Sequence, residues 1–534
     1  MEEIIQLVPD AFRGPGGAAA VLKDGEVVAR HVWGYADFEQ RIPMSSQTQM
    51  PICSITKQMI CRLLIDLEHS PPPAMAGSGG FKERLFEKLQ DLLPEKLLHD
   101  NELTIDRLCD MQSGLRDYWA LCMACGALPE SRFSLSNDAR QMIHWHKTFH
   151  FRPGSEFSYS NTNFYLLGHL IESVCNEPLG DLLTQRVFKP AGMTTALLCP
   201  DTSKLPSPCV GYEGDEQHGF VRAQNFIEWA GDAGIVASLD DMIAYERLFD
   251  LSWSKSDGPY RSIVEPRTFT DGTPARYRYG LVHGDVGNVS TVGHGGALRG
   301  FRSYRLYAKA ERISVIVLFN HEANAAGAAE FILRKVLNIP KTPSLNLEAS
   351  KEWMGSFLDS DTQLAVTIAL DPTESGRLLI TYAGHHPENV NLVTASRAES
   401  QDMVVTLQNN TLTVQRLKDN RVLDANRILD GQMQPTHSLQ GVYYCEEIDS
   451  TFRCEGTGIT LYGAFDGMFG RGPANLMKRL GEKVWTVACA RGVDAPAPGD
   501  WTVVSQIDDN SHVVGLTIGC WLARRLIYKK LNSE

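Results

Sequence analysis

The chain has little that would carry it to a nucleic acid, a membrane or a metal. Positive charge is scarce: 51 Lys and Arg stand against 64 Asp and Glu, a net charge of −13. An acidic chain without a basic cluster is a poor binder of phosphate backbones or anionic lipid. Long apolar runs are missing, and no stretch approaches the ~18 residues that a spanning helix needs. The N-terminus, MEEIIQLVPDAFRGPGG, has neither a basic n-region nor a long apolar h-region, so it does not read as a secretory signal. There is no H-E-x-x-H, which argues against a metallohydrolase, and no G-x-S-x-G elbow, which argues against an α/β-hydrolase fold. Of 12 cysteines, Cys122 and Cys125 form a C-x-x-C without a second half at zinc spacing. Others, such as Cys53, Cys61 and Cys175, lie in apolar helical patterns. These features predict reduced, mostly buried thiols in a cytoplasmic protein with no metal and no cofactor.

The 534 residues allow two to four domains, at about 100–200 residues each. Residues 17–34 read as two strands around Asp24-Gly25, a hairpin signal. Residues 54–68 read as a helix with Ser54 at its mouth, and a Pro- and Gly-rich insertion follows at 69–80. Helical patterns dominate 81–250; strands return at 277–283, 301–308 and 312–319, and a helix over 325–337 closes the region. Residues 1–338 are therefore expected to form one α+β domain whose sheet draws strands from both ends of the segment. Beyond Pro340 the texture changes to short alternating strands with turns. Two antiparallel β-barrels are expected there, at 345–432 and 433–534, with the boundary near 431–437. A faint echo supports two copies: Gly355-Ser-Phe357 opens the first and Gly441-Val-Tyr443 the second.

Three short motifs carry chemistry. Ser54-Ile-Thr-Lys57 opens an apolar helix, and residues i and i+3 share a helix face, so the Lys57 amine is placed to take a proton from the Ser54 hydroxyl. Alone, the tetrad is equally an N-cap serine with a solvated lysine. A second tetrad, Ser252-Trp-Ser-Lys255, runs into a turn-rich stretch and is set aside. Tyr159-Ser-Asn161 lies on a loop before a helix at 162–174; a neighbouring lysine would lower the Tyr159 phenol, ordinarily near pKa about 10, and Asn161 could bond both Lys57 and a substrate carbonyl. Gly293-His294-Gly-Gly-Ala297 precedes a strand; its glycines admit a substrate backbone, and His294 could orient Tyr159. The N–H groups of Ser54 and Ala297 would make an oxyanion hole, worth about 3–4 kcal/mol per donor. Lys341-Thr-Pro343 is a decoy for a K-T-G triad, since its proline lacks the N–H. His144-Trp-His146 reads as a helix surface feature.

Taken in order, S-x-x-K, Y-x-N and His-Gly-Gly resemble the serine β-lactamase and penicillin-binding family, in its class C branch. The segments MPICSITKQ, QSGLRDYWAL, GDAGIVASLDDMIA, GHGGALRG, DAPAPGDW and GCWLAR resemble the D-stereospecific aminopeptidases of that family over nearly the whole chain. The resemblance implies removal of a small free N-terminal D-residue from peptides, amides or esters through an acyl-enzyme. It implies Ser54 as nucleophile, Lys57 as proton acceptor, Tyr159 with His294 as the relay to the leaving amine, and Asn161 as a substrate-positioning group. It also implies a homodimer, and a loop of the last domain inserted into the cleft. That loop would be Ala490, Arg491, Gly492, Val493, Asp494, Ala495, Pro496, Ala497, Pro498, Gly499 and Asp500, with Asp494 receiving the substrate ammonium. An esterase or other penicillin-recognising hydrolase on the same scaffold is the alternative, and a non-catalytic binding protein a second one.

Overall fold

A computed structural model describes the chain except for residues 73–78, 99–101, 207, 256–258, 341–346, 375, 386, 430–437, 496–497 and 532–534. The middle of the 69–80 insertion, the Lys341–Pro343 decoy, the 431–437 boundary, and Pro496 and Ala497 therefore lie outside the described residues.

Asp24 (φ 52°) and Gly25 (φ 80°) both adopt the left-handed conformation that a two-residue hairpin turn requires. They join strands Gly16–Lys23 and Glu26–Asp37, paired from Lys23↔Glu26 to Gly16↔Gly34. Gly16–Lys23 then pairs with Ile313–Phe319, so the two ends of the first domain meet at the centre of one antiparallel sheet. Its eight strands run Ile42–Pro43, Glu26–Asp37, Gly16–Lys23, Ile313–Phe319, Phe301–Ala308, Val289–Leu298, Leu281–Val286, Tyr277–Arg278. All seven residues of Ile313–Phe319 are buried, because both faces of the sheet are covered. Ala19, Val21, Val315 and Val317 pack toward helix Ala325–Leu337. Ala18, Ala20, Ile316 and Leu318 pack into the large core with helices Thr56–His69, Asn161–Cys175 and Leu239–Ser254. This explains why the run RISVIVLF is continuously apolar rather than alternating.

Two elements differ from expectation. The His-Gly-Gly motif precedes strand Phe301–Ala308 as expected, but it is itself strand, inside Val289–Leu298. Three glycines give that segment weak strand propensity, and tertiary packing overrides it. The His144-Trp-His146 stretch is only half surface. His144 is exposed, but His146 is buried and contacts the Met142 and Arg116 carbonyls at 2.9 and 3.0 Å.

Beyond residue 350 come two antiparallel β-barrels, the first of eight strands and the second a closed sheet of nine. The first runs from Gly355–Asp359 to Arg421–Arg427, which pair to close it. The second runs from Gly441–Cys445 to Ala523–Lys530 and closes in the same way. The echo between them has a physical cause. Gly355 (φ 135°) and Gly441 (φ 143°) each sit at the closing seam, where a Cβ would stand 2.8 Å from Arg427 and 2.9 Å from Lys530. Among the described residues no helix is long and apolar enough to cross a membrane.

Candidate active site

Ser54 occupies a single 3-10 turn, Cys53–Ile55, that feeds helix Thr56–His69. The turn is entered through Cys53, held at φ 51°, an uncommon conformation for a side-chain-bearing residue. Short strand Met50–Pro51 pairs with Ile235–Ala237, and Ile52 N–H bonds the Ile235 carbonyl at 3.0 Å. This pairing brings Asp232 beneath the helix mouth.

Lys57 is fully buried, not solvated. Its Nζ lies 3.0 Å from Ser54 Oγ, 2.8 Å from Asn161 Oδ1 and 2.7 Å from the Asp232 carbonyl. Burial pushes the amine down to about 8, against the opposing pull of Asp232, Asp117 and Asp494. Two of the three partners are fixed acceptors. A neutral amine spends its two hydrogens on them and turns its lone pair to Ser54.

Asn161 is the first residue of helix Asn161–Cys175, one position earlier than expected. Asp117 fixes its amide: Asn161 N–H and Nδ2 donate to Asp117 Oδ2 at 2.6 and 2.8 Å. The other carboxylate oxygen of Asp117 accepts Trp119 and Ala120 N–H at 2.9 and 3.2 Å, capping helix Tyr118–Ala124. Asp232 is likewise committed, accepting the Tyr118 hydroxyl at 2.5 Å and Ala230 N–H at 3.0 Å. Neither aspartate belongs to a motif by type and spacing alone, so the sequence reasoning missed both.

Tyr159 stands against this cluster, with Lys57 Nζ 4.9 Å from its ring centre. Contrary to expectation, its phenol is driven well above the usual range. Burial dominates, and the nearby Asp117, Asp232 and Asp494 add to it; a hydrogen bond with Ser54 opposes them. Tyr159 is therefore a neutral phenol, able to donate and accept. His294 packs 6.0 Å from it, ring centre to ring centre, but bonds elsewhere. Its Nδ1 donates to the Gly295 carbonyl at 2.6 Å, which leaves Nε2 to accept the Tyr277 hydroxyl at 3.0 Å. Burial, and then the Lys57 charge, push the imidazole down to about 3, so it is neutral. Arg305 stands directly opposite His294 in the sheet, and a bidentate pair with buried Glu246 at 2.6 and 2.7 Å occupies it. Tyr277 was the other residue missed; one tyrosine in a short strand carries no sequence signal.

Gly296 approaches the Ser54 turn so closely that a Cβ would lie 2.1 Å from the Ile52 carbonyl. Ser303, opposite Gly296, donates Oγ–H to the same carbonyl at 2.9 Å. Ala297 follows, and with Ser54, Tyr159, Asn161 and His294 it lines one cavity of about 680 Å³.

The barrels finish that cavity. His385 comes from the first; Gly492, Asp494, Ala495, Pro498, Trp521 and Leu522 come from the second. Asp494 is half-buried, and burial followed by the proximity of Asp117 lifts its carboxyl to about 7. Of the remaining loop, Ala490 is exposed, Arg491 and Asp500 are half-buried, and Val493 and Gly499 are buried. Trp521 and Leu522 form a hairpin tip: Trp521 stacks on His385 at 4.5 Å, and the Leu522 carbonyl accepts Asp117 N–H at 3.1 Å.

A serine beside a buried lysine, under a sheet edge of this topology, defines a serine hydrolase of the β-lactamase type. Residues 2–337 match the family model described as beta-lactamase, and residues 346–529 match that described as D-aminopeptidase, domain B. The D-aminopeptidase of Brucella anthropi is 39% identical over 532 residues, spanning 100% of this chain and 98% of that protein. The chain belongs to the D-aminopeptidase family. Two solved structures share the fold: the octameric penicillin-binding protein homologue from Pyrococcus abyssi (TM-score 0.53, 21% identity, 79% of this chain and 98% of its own) and the D-amino acid amidase from Ochrobactrum anthropi SV3 (0.50, 19%, 63% and 99%).

Proposed function

We propose that the chain is a serine aminopeptidase that releases small N-terminal D-residues, D-Ala foremost, from peptides, amides and esters. The observation that carries the reading is the arrangement at Lys57, a buried amine with two fixed acceptors and one remaining contact, Ser54 Oγ. Neutral Lys57 takes the serine proton as Oγ attacks the substrate carbonyl. The N–H groups of Ser54 and Ala297 receive the developing oxyanion. The Lys57 proton then reaches the leaving amine through the Tyr159 phenol, which gives one hydrogen as it takes another. Asn161 steers Lys57 through its oxygen, and its second Nδ2 hydrogen is available to the substrate. Water afterwards releases the acyl group by the same route in reverse. The Asp494 carboxylate holds the substrate ammonium, and the inserted loop leaves no room for a longer N-terminal chain.

Release of p-nitroaniline from D-alanine p-nitroanilide but not from the L-isomer tests the stereochemistry; equal rates would refute it. Intact-mass measurement of a trapped acyl-enzyme, abolished in Ser54→Ala, tests the nucleophile. The same reading makes the protein a cytoplasmic homodimer. All described cysteines are unpaired, and most are buried, as suits a reducing compartment. Light scattering giving the mass of two chains checks the dimer.

A further inference from the structure

Arg491 opens the loop that carries Asp494, and its guanidinium leaves the second barrel to enter the catalytic domain. Nη2 lies 2.5 Å from Glu322 Oε2 and 3.0 Å from Glu213 Oε1. Both carboxylates are themselves pinned. Glu322 also receives Arg302 at 3.1 Å and Gly300 N–H at 3.3 Å. Glu213 receives Arg299 through two nitrogens, at 2.8 and 3.0 Å, and Arg299 also reaches Glu130 at 2.9 Å. Arg299 closes the circuit, because its backbone N–H donates to the Asp494 carbonyl at 2.8 Å.

The loop is thus seized at two points three residues apart. Gly492 N–H bonds the Ala495 carbonyl at 3.2 Å, folding a turn that contains Asp494. Three arginines face three glutamates, so the cluster is balanced and has no spare charge for a substrate. Its output is placement. Held from two sides, a carboxylate keeps its position when the nearby Lys57 amine becomes neutral.

We infer that Arg491, through Glu322 and Glu213, is a positioning residue that sets selectivity for amine-bearing substrates by fixing Asp494 in the cleft. This rests on the reading of Asp494 as the ammonium-binding carboxylate. The readout is the ratio of kcat/KM for D-alanine benzyl ester to that for benzyl propionate, which differs only in lacking the amine. Arg491→Met is expected to lower this ratio about tenfold, through the KM of the alanine ester, and Arg491→Lys to recover part of it. The Arg491→Met/Asp494→Asn double variant should match Asp494→Asn alone, because one residue acts through the other. Glu322→Gln gives the same direction, should Arg491→Met not fold. If Asp494→Asn lowers the ratio while Arg491→Met and Glu322→Gln leave it alone, or if the double loss is the sum of the single ones, the clamp is refuted. If Asp494→Asn leaves the ratio unchanged, the ammonium reading fails and the clamp falls with it.

Discussion

At the residue scale the protonation of the groups proposed to act is set by burial more than by contact. Lys57, with its amine pushed down to about 8, gains its base form as pH rises through that value. Asp494, lifted to about 7, gains its charge as pH rises through that value. A substrate α-amine, with an ordinary pKa of about 8, loses its charge over the same interval. The expected kcat/KM profile for an amine-bearing substrate is a narrow bell with an acid limb at pH 7–8. For benzyl propionate, which has no amine to lose, the alkaline limb should vanish; a pH-rate series on both esters checks this. Tyr277 supplies a second prediction. In Tyr277→Phe the Nε2 of buried His294 loses its donor, which costs about 1–3 kcal/mol. With the tyrosine ring that packs on both Tyr159 and His294 now unable to tether the imidazole, kcat should fall about tenfold with KM within twofold. A lost KM with intact kcat would contradict this.

At the element scale the strand Val289–Leu298 does most to build the site, and it is the element least legible from the residues. The Asp24-Gly25 hairpin and the helix after Ser54 could be read because turn chemistry and apolar spacing are local. The glycine-rich strand could not, because Gly296 answers the Ile52 carbonyl, far away in sequence, rather than a local preference. Asp117 and Asp232 were invisible for the same reason: one is an ordinary helix cap by sequence, the other a loop residue, and only the fold turns them to Asn161 and Lys57. The Tyr159 phenol was misjudged because charge proximity was weighed and burial was not. Gly296→Ala tests the strand's role. A methyl group driven against Ile52 O must displace the nucleophile turn, costing about 1–3 kcal/mol of stability. Hydrolysis should fall at least a hundredfold, while far-ultraviolet circular dichroism stays unchanged.

At the scale of the whole molecule one carboxylate ties the three bodies together. Glu156, three residues before Tyr159, pairs with Arg421 of the first barrel at 2.6 Å and with fully buried Arg524 of the second at 2.8 Å. Phe157 N–H adds a bond to the Asp419 carbonyl at 3.0 Å. Removing the carboxylate leaves a buried guanidinium without its counter-charge, a change worth about 3–5 kcal/mol. Glu156→Ala should therefore lower the thermal midpoint by several degrees and reduce kcat, since the segment leading to Tyr159 loses its anchor. Calorimetry and steady-state kinetics on the same sample check both halves.

The cavity wall is a joint product of a sheet edge, one turn of the first barrel and two turns of the second. On the proposed reading, the atoms that make and break bonds all belong to residues before 338. Reach and chemistry are consequently written in separate stretches of chain. Alterations confined to 383–385 or to the Trp521 side chain are expected to change what the cavity admits, whereas a shift of Leu522 would also reach Lys57 through Asp117 and Asn161.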